Sequence, residues 1–257
     1  MIILNNFLIS LQFLTIIPPF PPFNKRGRWG ITPIDEKSFG KSVIFFPLIG
    51  AFIGVLLVII SRLTSAFLPV SVSDAIVLAV LILVTGGLHV DGFADTIDGF
   101  AGGKNKDDVL RIMKDSRIGT FGVTGLIMLL LTKYLSIQNL PVDTKYLILI
   151  AMPIFGRWSV LPMGSIFKYA RIEGGTGKAF AESIGLKEFI IGTLTALAII
   201  VSLLKFKGFL MFIVIFIVTL IIGRYSEKKI NGITGDVFGA AIEINELIVL
   251  ILVLLLF

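Results

Sequence analysis

Long apolar segments, separated by short polar connections, constrain the fold of this chain more than any other feature. Eight such segments of roughly 16 to 21 residues cover most of the chain, and about 20 apolar residues suffice for a helix to cross a hydrocarbon core. Hydrophobic residues make up 56% of the sequence and charged residues 16%, unlike the balance in soluble domains. The predicted fold is all-α: a polytopic transmembrane helical bundle of seven or eight membrane segments, with residues 1–257 as one domain.

The weakest of these segments is the first. Asn5, Asn6 and Gln12 interrupt it and a proline cluster at 18–22 ends it, so it either spans the membrane or lies in the interface. It lacks the basic start and the small-residue cleavage site of a removed signal peptide. The predicted segments are 2–17, 42–61, 74–90, 120–138, 146–164, 188–204, 208–223 and 237–257.

The distribution of lysine and arginine predicts which connections share a side of the membrane. Successive connections carry 5, 1, 5, 1, 4, 2 and 3 of these residues, and the C-terminus carries none. Because Lys and Arg are enriched in cytoplasmic loops, the four rich connections are predicted to face the cytoplasm of a multi-pass cell-membrane protein. They lie at 18–41, 91–119, 165–187 and 224–236. The same rule explains the net charge of +6, so nucleic acid is not an expected partner.

Three carboxylates follow the third apolar segment, within a glycine-rich stretch at 86–103. Asp91, Asp95 and Asp98 are spaced i, i+4 and i+7, so they share one face if the stretch is helical. Like charges near lipid are costly unless a cation neutralises them, and carboxylate oxygens suit Mg²⁺, Mn²⁺ or Ca²⁺. The pattern therefore predicts a divalent-metal site at the membrane surface. The alternative is a cap and turn that only end a helix.

The same stretch also carries a stripe of small residues. Gly92, Thr96, Gly99 and Gly103 follow helical spacing, and such a stripe allows a neighbouring helix to approach closely. We expect this face to pack against another helix while the adjacent face presents the aspartates.

The connection before the fourth apolar segment adds one carboxylate and two cations. Asp115 is a further candidate metal ligand, and Lys114 and Arg117 are candidate phosphate contacts, since the arginine fork suits bidentate binding of phosphate. The alternative is structural. Ser116 or Asp115 then caps the following helix, and the cations only follow the topology rule.

Charged side chains also enter two of the later apolar segments. Asp236 and Glu243 are spaced i and i+7 and face the same way, and a carboxylate inside a span is a functional candidate. Arg157 lies in the middle of the fifth segment, where an unpaired charge is costly. We expect Arg157 to pair with an acid such as Glu246 or to hold an anionic substrate.

Two further signals are weaker. The segment 174–179 resembles a phosphate-binding loop but lacks the first glycine, the Ser or Thr after the lysine and a preceding strand, so it is predicted to be a flexible loop. His89 is the only histidine, and a general base, a metal ligand or a hydrogen-bonding group at a helix end are all open to it. A single histidine in a chain without cysteine cannot build a zinc site.

Together the motifs resemble those of the membrane-bound cobalamin synthases, the adenosylcobinamide-GDP ribazoletransferases. The resemblance covers nearly the whole chain, and its separated motifs occur in the same order. They lie at residues 45–50, 86–103, 113–119, 156–157, 169–171 and 234–240. One departure falls at 175–177, where Gly-Thr-Gly replaces a shorter glycine motif.

The resemblance implies the step that closes the nucleotide loop of vitamin B12. The cobinamide-phosphoryl group of adenosylcobinamide-GDP passes to a ribose hydroxyl of α-ribazole or its 5′-phosphate, and GMP leaves. The implied cofactor is Mg²⁺, with the expected ligands Asp91, Asp95, Asp98 and Asp115. The expected substrate contacts are Lys114, Arg117, Arg157 and Glu243. The candidates for the general base are Asp98, Asp236 and His89. Expected partners are the two substrates and the lipid bilayer, and a homo-oligomer is left open.

Two other functions fit parts of the sequence. CDP-alcohol phosphotransferases also use an aspartate-rich helix with Mg²⁺, but the arginine of their Asp-Gly-x-x-Ala-Arg motif is missing after Asp91 and Gly92. An ion-coupled transporter also carries intramembrane acids and small-residue helix contacts. It predicts acids near mid-span and repeated halves, whereas most acids here lie at the predicted cytoplasmic ends.

Overall fold

A computed structural model describes residues 2–17, 40–170 and 184–257, and within these ranges nine α-helices confirm the predicted all-α class. The helices are α1 (Ile2–Leu14), α2 (Phe46–Ser65), α3 (Val70–Val84), α4 (Leu88–Gly102), α5 (Lys106–Ile112), α6 (Thr120–Gln138), α7 (Lys145–Ile166), α8 (Leu186–Ile230) and α9 (Gly235–Leu256). A short 3-10 turn, Val43–Phe45, precedes α2. The proline cluster at 18–22 and the glycine-rich segment 174–179 lie outside the described residues.

The helices that can cross a membrane, counted once each, are fewer than the predicted seven or eight segments. By length and apolar composition, five helices of the described chain can cross a membrane, and the bent pair α3 and α4 makes a sixth if it counts as one span. α1 has 13 residues and is about 20 Å long, short of a hydrocarbon core of roughly 30 Å. The first predicted segment therefore does not form a full-length spanning helix.

The helix α8 accounts for the rest of the difference, because its 45 residues cover two predicted segments. Lys205 has φ 54° and ψ −138°, far from helical values, and the helix breaks there. Trp158 of α7 contacts both limbs: its indole N–H donates to Thr193 (3.0 Å), and its ring centroid lies 4.6 Å from that of Phe212. In a continuous helix, Thr193 and Phe212 would lie about 28 Å apart. The chain therefore turns back at Lys205, and the two limbs match the two predicted segments.

Contacts bring the connections that are rich in Lys and Arg together at one end of the bundle. The Lys229 ammonium donates to the Phe100 carbonyl (2.9 Å), and the Ile233 N–H donates to the Lys168 carbonyl (2.9 Å). These bonds join three connections that the alternation of charge places on one side.

The connections that are poor in Lys and Arg also contact one another. The Arg62 guanidinium lies 4.7 Å from the centre of the Tyr146 ring, and the Lys207 ammonium donates to the Leu256 carbonyl (2.7 Å). The pairing of connections thus agrees with the alternation in the sequence.

Small residues bring α2 and α7 into backbone contact. A Cβ added at Gly54 of α2 would lie 2.5 Å from the Ile150 Cα of α7, and one added at Gly50 would lie 2.5 Å from the Pro153 carbonyl oxygen. Close van der Waals packing of this kind holds helices together in lipid, where the hydrophobic effect between helices is absent. α7 is buried along almost its whole length and forms the centre of the bundle.

The predicted small-residue stripe of α4 packs against two helices rather than one. A Cβ at Gly92 would lie 2.9 Å from the Asp236 Cα of α9. One at Gly103 would lie 2.7 Å from the Val109 Cα of α5, and Gly99 contacts the same helix. α4 is therefore held between α9 at its start and α5 at its end.

We expect Gly54→Ala to lower the melting temperature of the purified protein in detergent, because the added methyl group meets the Ile150 backbone. Overpacking of this kind costs about 1–3 kcal/mol. Gly235→Ala is the matched control, since an added Cβ there meets nothing within 4 Å. Thermal unfolding followed by circular dichroism measures both variants, and equal melting temperatures would contradict the packing of α2 on α7.

Candidate active site

Two glycines turn the chain sharply before the acidic helix α4. Gly86 and Gly87 have φ values of +62° and +72°, which glycine adopts without steric cost. As a result α3 and α4 meet at an angle of 86°, and α4 does not continue the direction of the span. This change of direction carries the acidic residues to the first turns of α6 and α9.

The three predicted aspartates lie on α4, so their helical spacing is confirmed, but they differ in accessibility. Asp91 is exposed, Asp95 is half-buried, and Asp98 is only 8% exposed. Asp91 borders a cleft of about 420 Å³ whose other walls are mostly apolar, with Ile118 and Leu126 among them. The acidic face of α4 therefore runs from an open cleft at Asp91 into a helix contact at Asp98.

Asp98 caps the start of α6. Its Oδ2 accepts the Gly119 N–H (2.6 Å), and its Oδ1 accepts the Gly122 N–H (2.8 Å). The first N–H groups of a helix have no acceptor within the helix, and a carboxylate there also interacts favourably with the helix dipole. The alternative in which Ser116 or Asp115 caps this helix is wrong, because both oxygens of the Asp98 side chain, from α4, accept the N–H groups at its start.

Asp115 pairs with Arg117 two residues later. The Arg117 Nε and Nη2 donate to the two carboxylate oxygens (3.0 and 2.8 Å), and the Arg117 backbone N–H donates to Oδ1 (3.1 Å). The side-chain hydrogen bonds, followed by the backbone one, lower the pKa of Asp115 to about 2. Asp115 is therefore ionised at physiological pH and is not suited to act as a general acid.

A second, more polar cleft of about 490 Å³ lies between α4 and the start of α6. Asp98, Asp115 and Arg117 border it, and Ile118 borders both clefts. The Arg117 side chain is 87% exposed, and a guanidinium has five N–H donors, so one that is paired with a carboxylate can still bind an anion. Lys114, also exposed, lies in the same connection.

α9 brings another predicted carboxylate beside α4. Thr234, the residue ahead of this helix, donates from its hydroxyl to the Asp236 Oδ2 (3.3 Å). The Asp236 backbone packs directly against Gly92, one residue after Asp91. The structure thus brings Asp236 to the first turn of the acidic helix from a distant part of the sequence.

Five ionisable side chains form a buried network where α4, α6, α7 and α9 meet. Lys133 donates to Glu243 and Glu246 (both 2.6 Å), and Arg157 donates to Glu246. The Arg157 Nη2 lies 3.5 Å from the His89 Nδ1. All five side chains belong to residues that are at most 5% exposed. Two cations face two carboxylates, so the network is balanced when the imidazole is neutral.

This network confirms the predicted pairing of Arg157 with Glu246. Glu243 pairs with Lys133 inside the bundle, and neither Arg157 nor Glu243 lines the cleft at Asp91 or the cleft at Asp98. Direct contact of Arg157 and Glu243 with substrate stays a prediction that their positions do not support.

Sequence reasoning missed Lys133. It is the only charged residue in the apolar segment 120–138, and a lone cation in a span needs a carboxylate from another span. Glu243 and Glu246 in the last segment offered that partner, so the signal was present in the sequence.

The carboxylates of α4 suit a cation that also binds substrate. In the described ranges, no three Asp, Glu or His side chains form a group that could hold a metal ion. Mg²⁺ is usually held by one or two carboxylates, with waters and substrate phosphates as its other ligands. Asp91 and Asp95, one turn apart, fit that use because they are the more accessible carboxylates of α4, whereas Asp98 is almost fully buried. The larger set, with Asp98 and Asp115, stays a prediction.

The sequence of this chain matches the model of the cobalamin-5-phosphate synthase family over residues 6–254. It is 33% identical to an adenosylcobinamide-GDP ribazoletransferase of Acetivibrio thermocellus over 249 residues, and this aligned region covers 97% of each chain. Proteins of the same name from Alkaliphilus metalliredigens and Alkaliphilus oremlandii are 35% and 36% identical, over 98% and 95% of this chain and 96% and 94% of their own length. No solved structure matches the chain. The chain therefore belongs to the cobalamin-5-phosphate synthase family.

Proposed function

We propose that this chain is an adenosylcobinamide-GDP ribazoletransferase. A ribose hydroxyl of α-ribazole, or of its 5′-phosphate, attacks the phosphorus that carries cobinamide. A new P–O bond forms to that hydroxyl oxygen, the bond to GMP breaks, and GMP leaves. Family membership, with relatives of this name over nearly the full length, carries the proposal. The acidic helix beside an exposed arginine supports it, because phosphoryl transfer needs positioning and charge neutralisation more than covalent chemistry.

In this proposal the cofactor binds to the outer face of α4, the face that carries Asp91 and Asp95. Asp91 and Asp95 would hold Mg²⁺, since they lie one turn apart and Asp91 opens onto a cleft. Bound there, Mg²⁺ would neutralise the pyrophosphate and stabilise the departing GMP. Both carboxylates lie on a helix that packs against α9 at its start and against α5 at its end.

The connection between α5 and α6 binds the anionic part of the substrate. Arg117 and Lys114 offer N–H donors at its surface, and the Asp115 carboxylate holds the Arg117 fork in a defined orientation. Asp98 contributes indirectly. Its carboxylate accepts two backbone N–H groups at the start of α6 and so fixes the end of this connection. The mostly apolar cleft beside Asp91, which Ile118 also borders, suits the aromatic base of α-ribazole.

Among the three candidates for the general base, the positions favour Asp236. The Asp98 carboxylate accepts two backbone N–H groups, and the His89 ring faces Arg157 in the interior. Asp236 is half-buried beside Gly92, so it is more accessible than Asp98 or His89, and the Thr234 hydroxyl donates to its carboxylate. A carboxylate in that place can accept the proton that the attacking hydroxyl loses.

The site faces the cytoplasm in this proposal. It lies at the end of the bundle where the connections rich in Lys and Arg meet, and such connections stay on the cytoplasmic side. Water-soluble nucleotide substrates and Mg²⁺ are available on that side, while the corrin and the apolar base can approach along the membrane surface.

Turnover of adenosylcobinamide-GDP and α-ribazole by the purified protein in liposomes tests the function. We expect GMP and adenosylcobalamin to form in equal amounts, and only with Mg²⁺. Asp95→Asn should lower turnover by more than about 100-fold, because the amide removes a charged ligand without changing the shape of the side chain. The matched control is Asp107→Asn, which removes the same charge from an exposed position on α5.

Full turnover by Asp95→Asn at ordinary Mg²⁺ concentrations would contradict the ligand role of Asp95. Absence of turnover by folded wild-type protein would contradict the proposed function as a whole.

Cysteine labelling in spheroplasts tests the sidedness, since the chain contains no cysteine of its own. Val142, 86% exposed, lies in a connection poor in Lys and Arg, and Asp107 lies in a rich one. We expect a membrane-impermeant maleimide to label Val142→Cys directly and Asp107→Cys only after permeabilisation. The reverse order of labelling would contradict a cytoplasmic site.

A further inference from the structure

His89 is a buried residue in the first turn of α4, and the proposed chemistry does not use its imidazole. The residue is 3% exposed, and its Nδ1 lies 3.5 Å from the Arg157 Nη2. A guanidinium stays protonated in proteins and can only donate hydrogen bonds. The His89 Nδ1 must therefore be the acceptor, which places the imidazole proton on Nε2.

The donor to His89 is itself held from its other side. Arg157 donates through Nη1 to the Glu246 Oε1, and the Glu246 Oε2 accepts from Lys133 (2.6 Å). Hydrogen bonds between charged groups are strong in an interior of low dielectric constant. Arg157 is thus a fixed point on α7 to which the start of α4 is attached.

The contact of His89 restricts the rotation of α4 about its own axis near the start of the helix, and the two hydrogen bonds of Asp98 act nine residues later. Successive helical residues are 100° apart, so Asp91 lies about 200° and Asp95 about 240° around the helix from His89. When His89 points into the bundle, both carboxylates point away from it. Contact of the α4 backbone with Gly239 and Asp236 limits how closely α4 approaches α9, but small residues along such a contact leave rotation less restricted.

We propose that His89 is a positioning residue: by accepting a hydrogen bond from the buried Arg157, it fixes the rotation of α4 and directs Asp91 and Asp95 outward. The role assigned to the two carboxylates rests on the proposed function. The rotation itself does not, so it can be measured separately.

Two substitutions separate the hydrogen bond from the volume of the side chain. His89→Asn keeps an acceptor, because the Asn Oδ1 can take the place of Nδ1. His89→Leu keeps a side chain of similar size but removes the acceptor. Melting temperatures in detergent establish that both variants are folded.

The first readout is the rotation of α4. Asp91→Cys, the only cysteine in the chain, reacts with a water-soluble maleimide at a rate that reports the orientation of position 91. Combined with His89→Leu we expect this rate to fall at least threefold, and combined with His89→Asn to stay within twofold of the parent. Equal rates in all three proteins would overturn the proposal, whatever the protein catalyses.

The second readout is binding of Mn²⁺ to protein with both aspartates intact, followed by electron paramagnetic resonance. We expect His89→Leu to weaken Mn²⁺ binding about tenfold, with a matching rise in the metal concentration for half-maximal turnover, and His89→Asn to restore wild-type values. Equal loss in both folded variants would overturn the positioning role, because the imidazole itself would then be required. Wild-type protein that neither binds Mn²⁺ nor turns over would instead contradict the proposed function.

Discussion

Charge balance in an apolar interior is the constraint on which the arrangement of this bundle depends. Lys133 and Arg157 enter from α6 and α7, and Glu243 and Glu246 both enter from α9. Removal of one partner from a buried ion pair costs about 3–5 kcal/mol, since the remaining charge is left unpaired. The three helices must therefore meet at one depth and in one rotation. Glycine contacts, such as that of Gly54 of α2 with the backbone of α7, then set how closely the helices approach.

The candidate site is built outward from this interior. α4 leaves the span at an 86° bend, contacts the network through His89, and binds the start of α6 through Asp98. One side of this short helix therefore faces the bundle, and the other carries carboxylates toward two clefts that share Ile118. A membrane protein can hold a cluster of acids in this way because the costly charges lie at the end of the bundle. The charges at mid-span are neutralised by protein side chains.

Part of this arrangement could be predicted from the sequence, for physical reasons that differ between residues. The helical spacing of the α4 aspartates and the pairing of Arg157 with Glu246 follow from periodicity and from the cost of an unpaired charge. The capping of α6 by Asp98 does not, because a carboxylate that binds another helix has the same local sequence as one that binds a metal. The turn at Lys205 is the opposite case. Two apolar segments in the sequence predict two spans here, and the non-helical backbone of Lys205 divides α8 into two corresponding limbs.

The most direct test of phosphoryl transfer at the outer face of α4 is an experimental structure with Mn²⁺ and adenosylcobinamide-GDP bound. We expect the cation against Asp91 and Asp95, with phosphate oxygens as further ligands and the Arg117 guanidinium on the same phosphates. A nucleotide bound away from α4, or a cation held by other residues, would contradict this assignment of the site.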